Sequence, residues 1–426
     1  MTEHEMKYKT WADYHPEVVA NAAQPVRQWP CEKYTTDYTG VHQCSVAMGP
    51  DGELIVAGMA NDWKDGVLFH STDQGRSWAV LCKIPNLFPP IPAEFKRTGH
   101  SYTGSGYAAD GSLLAIERLS YSDGRPYEGF SDPTYHSRVQ ILRSTDQGET
   151  WSVAEELDPA PHYCLGGNEV SIRRLSDGRL MLPMCAYDQS RPGKPLPLDR
   201  YKHRAFLYYS EDNGRTWPWL ASLGESSNES WIAEHPSGRL VAVTRYQRKK
   251  RPNDPPDLAT PFLLDPVYSQ YEKFRKFDNP AVVGGPSVYR NSAVSYSDDG
   301  GRNWSDPRIV TGWEQQTGCI VSLSDGTTVL PFSRKNGTHG QRFIVSYDRG
   351  ETWSKAIWEL NDCGLYASSV VMPDDTIVTI HDGLRDKASG RRLSALRWQA
   401  PPKAEVEKYG FFRPRPAETT ESIAGR

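Results

Sequence analysis

Residues 144–151 read STDQGETW, and the same frame, S-x-D-x-G-x-x-W, returns as STDQGRSW at 71, SEDNGRTW at 210, SDDGGRNW at 297 and SYDRGETW at 346. Five matches to four fixed positions are beyond chance. The residue types describe a closed turn: Asp accepts hydrogen bonds from nearby backbone N–H groups, Gly permits positive φ, and Trp packs the turn onto the fold. Repeated turns of one kind mean a repeated unit of structure.

Upstream of each box stands a second repeat, an apolar run, a polar turn ending in Gly and another apolar run: SVAMGPDGELIVAG, SGYAADGSLLAIE, VSIRRLSDGRLMLPM, SWIAEHPSGRLVAVT and CIVSLSDGTTVLPF. A sixth run, SSVVMPDDTIVTI, follows the last box and has no box of its own. Each unit supplies strand, DG hairpin, strand, loop, strand, box turn, strand. Six such units, with a period of about 50–85 residues, predict an all-β fold, a six-bladed β-propeller of four-stranded antiparallel blades that limits exposed edges by radial repetition. The propeller spans residues 38–400, with an insertion at 246–289 in blade four and a C-terminal tail at 401–426. Residues 1–37 supply a strand that closes the last blade against RLSALRWQ near residue 395. Helical periodicity is confined to DPVYSQYEKFRKF at 265–277.

Composition narrows the function. Among 426 residues, 49 basic and 53 acidic side chains are mixed along the chain and leave a net charge of −4, so no footprint for nucleic acid or anionic membrane stands out. The first twenty residues are charged throughout and no run reaches the length of a membrane span. This implies a soluble protein, cytoplasmic as written, or secreted or periplasmic if a leader has been removed. Seven scattered cysteines without a CxxC pair argue against a disulfide framework and a zinc site. No cofactor or metal is implied, and no oligomeric state.

In a propeller the first strand of every blade lines the central channel, so residues equidistant from the DG turn form a ring at one mouth. Nine positions before the turn residue stand Gln43, Tyr102, Glu169, Glu229, Thr317 and Tyr366. The second strands return to the same face and bring Asp62, Glu117, Arg118, Asp188, Arg245 and Arg334, while Arg342 lies on the third strand of blade five. Acids, phenols and arginines over one cleft suit hydrolysis of an acidic sugar.

The boxes, their number and this ring together resemble the sialidase superfamily over roughly residues 38–400. That resemblance implies an exo-acting retaining glycoside hydrolase whose partner is a carbohydrate, a terminal sialic-acid-like or other acidic sugar. Glu229, in NESWIAEHPSGRLVAVTR, and Arg245 match the family's glutamate and arginine of blade four. Tyr366, in LYASSVVMPDD, matches its nucleophilic tyrosine, and Asp62, or less well Asp65, its acid/base. A phenol with a pKa near 10 attacks well only when a nearby carboxylate takes its proton, which gives Glu229 its role. Arg245, with Arg334 or Arg342, would clamp a substrate carboxylate.

The first blade departs from the family pattern. HQCS stands where RIPS is expected, so His42 occupies the place of the first carboxylate-binding arginine. A histidine there can hold a hydroxyl, bind a carboxylate weakly or transfer a proton. Glu169 shares the register of Glu229, so a pair of glutamates acting on a neutral sugar, as in arabinanase-like propellers, is one alternative, and Glu169, Tyr102 and His42 are counted with the arginines as substrate-binding positions. A propeller polysaccharide lyase is another, and a glycan-binding or scaffold propeller without catalysis is a third. The insertion 246–289 lies over the same face, where a long loop acts as a lid or binding element, and its QRKKR run is solvated surface or steers an anionic glycan.

Overall fold

The computed structural model describes residues 26–39, 41, 45–59, 66–123, 136–160, 164–166, 171–187, 203–248, 289–312, 315–334, 339–383 and 391–414. The helical pattern expected at 265–277 lies outside them. The described chain is almost wholly β, with one short helix, Lys403–Glu407. Among the described residues no helix is long and apolar enough to cross a membrane.

The strands form antiparallel meanders in a β-propeller arrangement. Ser45–Met48, Leu54–Met59, Gly66–Ser71 and Ala79–Ile84 make one sheet in chain order. Lys96–Tyr107, Leu113–Ser122, His136–Ser144 and Ser152–Glu156 make the next. A third runs from Cys164–Gly166 and Arg173–Arg174 through Leu180–Tyr187 and His203–Ser210 to Trp219–Glu225. A fourth joins Leu365–Val371, Ile377–Asp382 and Arg392–Trp398 to the N-terminal strand Glu32–Thr39, whose Tyr34 pairs with Ala395.

Four blades therefore stand as separate sheets, where six were expected. The strands expected for blades four and five fall in one ten-stranded sheet. The reason is local: Tyr289–Ser297 and Gln315–Gln316 pair in parallel through Asn291 and Gln315, which stitches the two sets together. A second addition to this sheet is Arg27–Gln28, parallel to Trp358–Asn361.

The box turns form as their residue types require. In the box at 144, Thr150 N–H donates to Asp146 Oδ1 at 2.9 Å and Gly148 N–H to Ser144 Oγ at 2.8 Å. Gly148 has φ of 90°, a conformation that a Cβ would strain. At the third box the Trp217 indole donates to the Gly214 carbonyl at 3.1 Å and its ring is buried, so the turn is fastened to the core. In the hairpins the DG glycine takes positive φ, and in the last hairpin Asp375 takes it instead, at 59°.

Packing runs from each sheet to its neighbour. Ala57, Leu68 and Ile84 meet Leu113 and Leu142 of the second sheet, and Val46, Val56 and Phe69 meet Val378, Ile380 and Ala395 of the last. The first and last sheets thus close on each other. Fully buried aliphatic side chains of this kind contribute roughly 1.5–3 kcal/mol each, so the sheets are rigid supports for whatever their inner strands present.

Candidate functional site

The inner strands break their regular pairing near the channel mouth. Pairing of Ser227–Glu234 with its neighbour shifts between Ser227 and Ser230, and that of Leu365–Val371 between Leu365 and Ser368. Lys96–Tyr107 shifts between Tyr102 and Gly104. Bulges of this kind re-aim side chains and gather at sheet ends beside active sites. Glu229 and Tyr366 both lie inside such shifts.

Glu229 is fixed by its surroundings. Its N–H donates to Asn228 Oδ1 at 2.8 Å, and Ser230 Oγ donates to the Asn228 carbonyl at 2.6 Å, which sets the bulge. Arg245, on the adjoining strand Leu240–Arg248, donates through one Nη to Glu229 Oε1 at 2.8 Å and Oε2 at 2.7 Å. The two side chains are 11% and 12% exposed, enough for a ligand to reach them. A carboxylate offers about four acceptor positions, so this pair leaves Glu229 able to accept a further proton donor.

Tyr366 has φ of 61°, in the left-handed region that a bulky L-residue avoids at a cost of about 1–2 kcal/mol. The surrounding structure imposes this. Leu365 N–H donates to Asp382 Oδ1 at 2.6 Å, and the other oxygen of the buried Asp382 carboxylate is held by Arg391. Just upstream Gly364 has φ of 75°, and any Cβ there would collide with the His381 ring. Tyr366 itself is half-buried. Strain that neighbours over-determine clusters at active sites, ligand clamps and switch regions.

The remaining expected positions fall differently. Arg342 is 8% exposed, and its Nε donates to Glu359 Oε2 at 2.9 Å on the next strand. Arg334 is half-buried at the end of Thr328–Arg334, opposite Gly340. Tyr102 was expected at the mouth, but it is 2% exposed and packs with Ala57, Leu68 and Ile84. Its ring lies against Gly66, where a Cβ would come within 2.5 Å. Glu117 is also inside, fully buried, with His100 Nε2 at 2.7 Å, Gln140 Nε2 at 2.6 Å and the Leu87 N–H at 3.3 Å. Arg118 is buried too, its Nε donating to Ser137 Oγ at 3.0 Å. These three belong to the packing of the second sheet. His42, Gln43, Asp62, Asp65, Glu169 and Asp188 lie outside the described residues.

Sequence reasoning missed the residues that hold the site. Asp382 and Glu359 act through strand pairing with partners distant in sequence, so no local pattern announces them. The acid that ends IVTIHD, directly before Gly383, was the available signal for Asp382.

Known proteins bear on this arrangement. The model of a BNR repeat-like domain matches residues 127–253. A sialidase of Bacteroides fragilis is 23% identical over 317 residues, which is 67% of this chain and 47% of that protein. In sequence the chain is similar to sialidases and, in part, to the BNR repeat-like domain. Solved structures share its fold. A Hadza microbial sialidase aligns with a TM-score of 0.53 at 16% identity, over 87% of this chain and 67% of that one. An α-L-arabinofuranosidase of Fusarium graminearum, in complex with arabinobiose, aligns with a TM-score of 0.54 at 14% identity, over 89% of this chain and 99% of that one. The chain spans about half the length of the curated relatives it matches.

Proposed function

We propose that this propeller is an exo-acting retaining glycoside hydrolase that releases a terminal acidic sugar, with Tyr366 as nucleophile, Glu229 as its base and Asp62 as acid/base. The observation that supports this most is the strained setting of Tyr366 in a bulge clamped by Asp382, in the same register as Glu229 and its arginine. The fold carrying the site is a six-bladed propeller whose ten-stranded sheet comprises two blades. The six core clusters, each between successive sets of strands, support that count.

The chemistry proceeds in two displacements. The Tyr366 hydroxyl attacks the anomeric carbon and passes its proton to Glu229, while Asp62 protonates the departing glycosidic oxygen. Water, deprotonated by Asp62, then attacks the anomeric carbon and the tyrosyl oxygen departs, recovering its proton from Glu229. Two inversions give net retention. A phenol is repelled by an anionic sugar less than a carboxylate would be, which suits a tyrosine facing an acidic substrate.

One observation favours a second reading, a neutral sugar. Arg245 and Arg342 already hold the protein carboxylates Glu229 and Glu359, and His42 replaces the first arginine. A panel of aryl glycosides decides between them, with sialoside, uronide and arabinofuranoside compared and product stereochemistry followed by NMR. The first reading expects turnover of an acidic glycoside with retention, lost in Tyr366→Phe. Turnover confined to the arabinofuranoside supports the second, and full activity of Tyr366→Phe on any substrate refutes the tyrosine mechanism.

A further inference from the structure

At its turn end the central channel holds a second convergence of polar groups. A cavity of about 290 Å³ lies there, walled by inner-strand residues that include Met48, Tyr107, Ile232, Ser322 and Val371. Arg173 lines it from the short strand Arg173–Arg174. Its guanidinium lies over the Trp231 ring, 4.1 Å from the centroid, and one Nη donates to the Ser369 carbonyl at 3.0 Å. The Nε has no hydrogen-bond partner among the described residues, and neither has Ser322 Oγ in the same wall.

Charge in this cavity is unbalanced. Arg174 is a second guanidinium of the lining, and Glu234 is its one carboxylate. Glu234 accepts from Ser176, through its N–H and its Oγ, each at 2.7 Å, and its single charge offsets one of the two guanidiniums. Desolvation pulls the half-buried Arg173 guanidinium down to about 10, the direction expected of a cation against apolar walls. Stacking on Trp231 fixes the plane of the guanidinium, so its fork is preorganised for two parallel hydrogen bonds to oxygen.

We infer that the turn end of the channel is a binding site for a small oxyanion, a phosphate or a carboxylate, held by Arg173 with Ser322 and Arg174. It is separate from the sugar site. Arg173 meets the inner strand at Ser369, three residues beyond Tyr366, which at about 3.3 Å per residue is about 10 Å deeper along the channel. Bound there, the anion adds to the hydrogen bonds that already join neighbouring inner strands, such as Val46 N–H to Ser368 Oγ at 2.7 Å and Arg173 to the Ser369 carbonyl, and stabilises the closed ring by mass action.

Calorimetric titration of the full chain with inorganic phosphate, at ionic strength held constant with chloride, tests the site. The wild type should bind one equivalent saturably. Arg173→Met should weaken binding at least about tenfold and Ser322→Ala severalfold, while Arg245→Met at the opposite mouth should not change it. Acetate that competes with phosphate assigns a carboxylate ligand, and acetate that fails to compete assigns a phosphate. No saturable binding of either anion, equal affinity in Arg173→Met, or a loss confined to Arg245→Met would overturn the site. If Arg173→Met does not fold, Ser322→Ala carries the comparison, and unchanged affinity there overturns it.

Discussion

Replacing Asp212 by Asn should destabilise the protein by about 1 kcal/mol at neutral pH and by almost nothing in strong acid. Asp212 anchors the box at 210: its Oδ1 accepts from Ser210 Oγ at 2.8 Å, Arg215 N–H at 3.0 Å and Thr216 N–H at 2.9 Å, and its Oδ2 from Thr216 Oγ1 at 2.7 Å. Burial pushes its pKa up, but these donors outweigh it and hold the carboxyl down at about 2, against 3.8 ordinarily. A shift of nearly two pKa units, at 1.36 kcal/mol each, sets a ceiling of about 2 kcal/mol, and solvent screening at this surface turn brings it to about 1 kcal/mol of folding free energy. The sign follows from the depressed value: the contribution is full above 3.8, falls as the folded form titrates, and is gone below about 2. Asn keeps the shape and one acceptor oxygen but never carries the charge. Urea unfolding of both proteins at pH 7, 4, 3 and 2 should show the gap closing between pH 4 and 2. A gap that persists unchanged at pH 2 would mean that shape, and not ionised oxygen, holds the box, and the electrostatic account would be wrong.

Other outcomes follow from the site. Tyr366→Phe should lower turnover by at least about a thousandfold while moving the melting temperature little, because the ring and its backbone setting remain. Asp382→Asn should lower kcat more than it raises KM and weaken folding by about 1–3 kcal/mol, since it loosens the grip on the Leu365 N–H and leaves Arg391 without its carboxylate; unchanged kinetics would remove Asp382 as a positioning residue. His42→Arg should raise activity on an aryl sialoside if the missing arginine redirects specificity, read as kcat/KM on a matched panel. His381 is buried, and burial holds its pKa at about 4 against 6.5, so stability is full above pH 6.5 and falls as the pH drops toward 4; His381→Gln should flatten that part of a chemical-denaturation profile.

How much of this was legible in the sequence depends on the range of the interactions involved. The boxes and DG hairpins are local: Asp146 finds its donors within four residues, so spacing alone reveals the turn. Registers counted back from the DG turn are less secure, because each bulge inserts a residue and changes the face that a side chain presents. Tyr102 shows the effect. It stands at the same count as Tyr366, yet the shift between Tyr102 and Gly104 leaves its ring in the core, where Gly66 makes room for it. Glu359 and Asp382 were invisible for another reason, since their partners lie on neighbouring strands and only the pairing register brings them together. The joining of the strands expected for blades four and five into one sheet rests on a single parallel pair, Asn291 with Gln315, which no repeat pattern encodes.

Backbone strain separates structure from function in this propeller. Eight non-glycine residues among those described have positive φ. Gln74, Gln147, Asn213 and Arg349 precede the box glycine, and Asp375 replaces a hairpin glycine, so turn geometry accounts for five of them. Ser226, Thr317 and Tyr366 remain, at or beside the mouth ends of inner strands, where no hairpin requires a left-handed residue. The neighbouring cores are rigid enough to sustain that cost, and they sustain it at and beside the register shifts that contain Glu229 and Tyr366. Exchanging Arg349, which is exposed and lies in a turn, for Gly should relieve strain with no effect on activity. Exchanging Thr317 for Gly should change kcat, because the freed backbone no longer fixes the mouth between Glu229 and Tyr366. Equal silence at both positions would mean that the strain at the mouth is incidental to turnover.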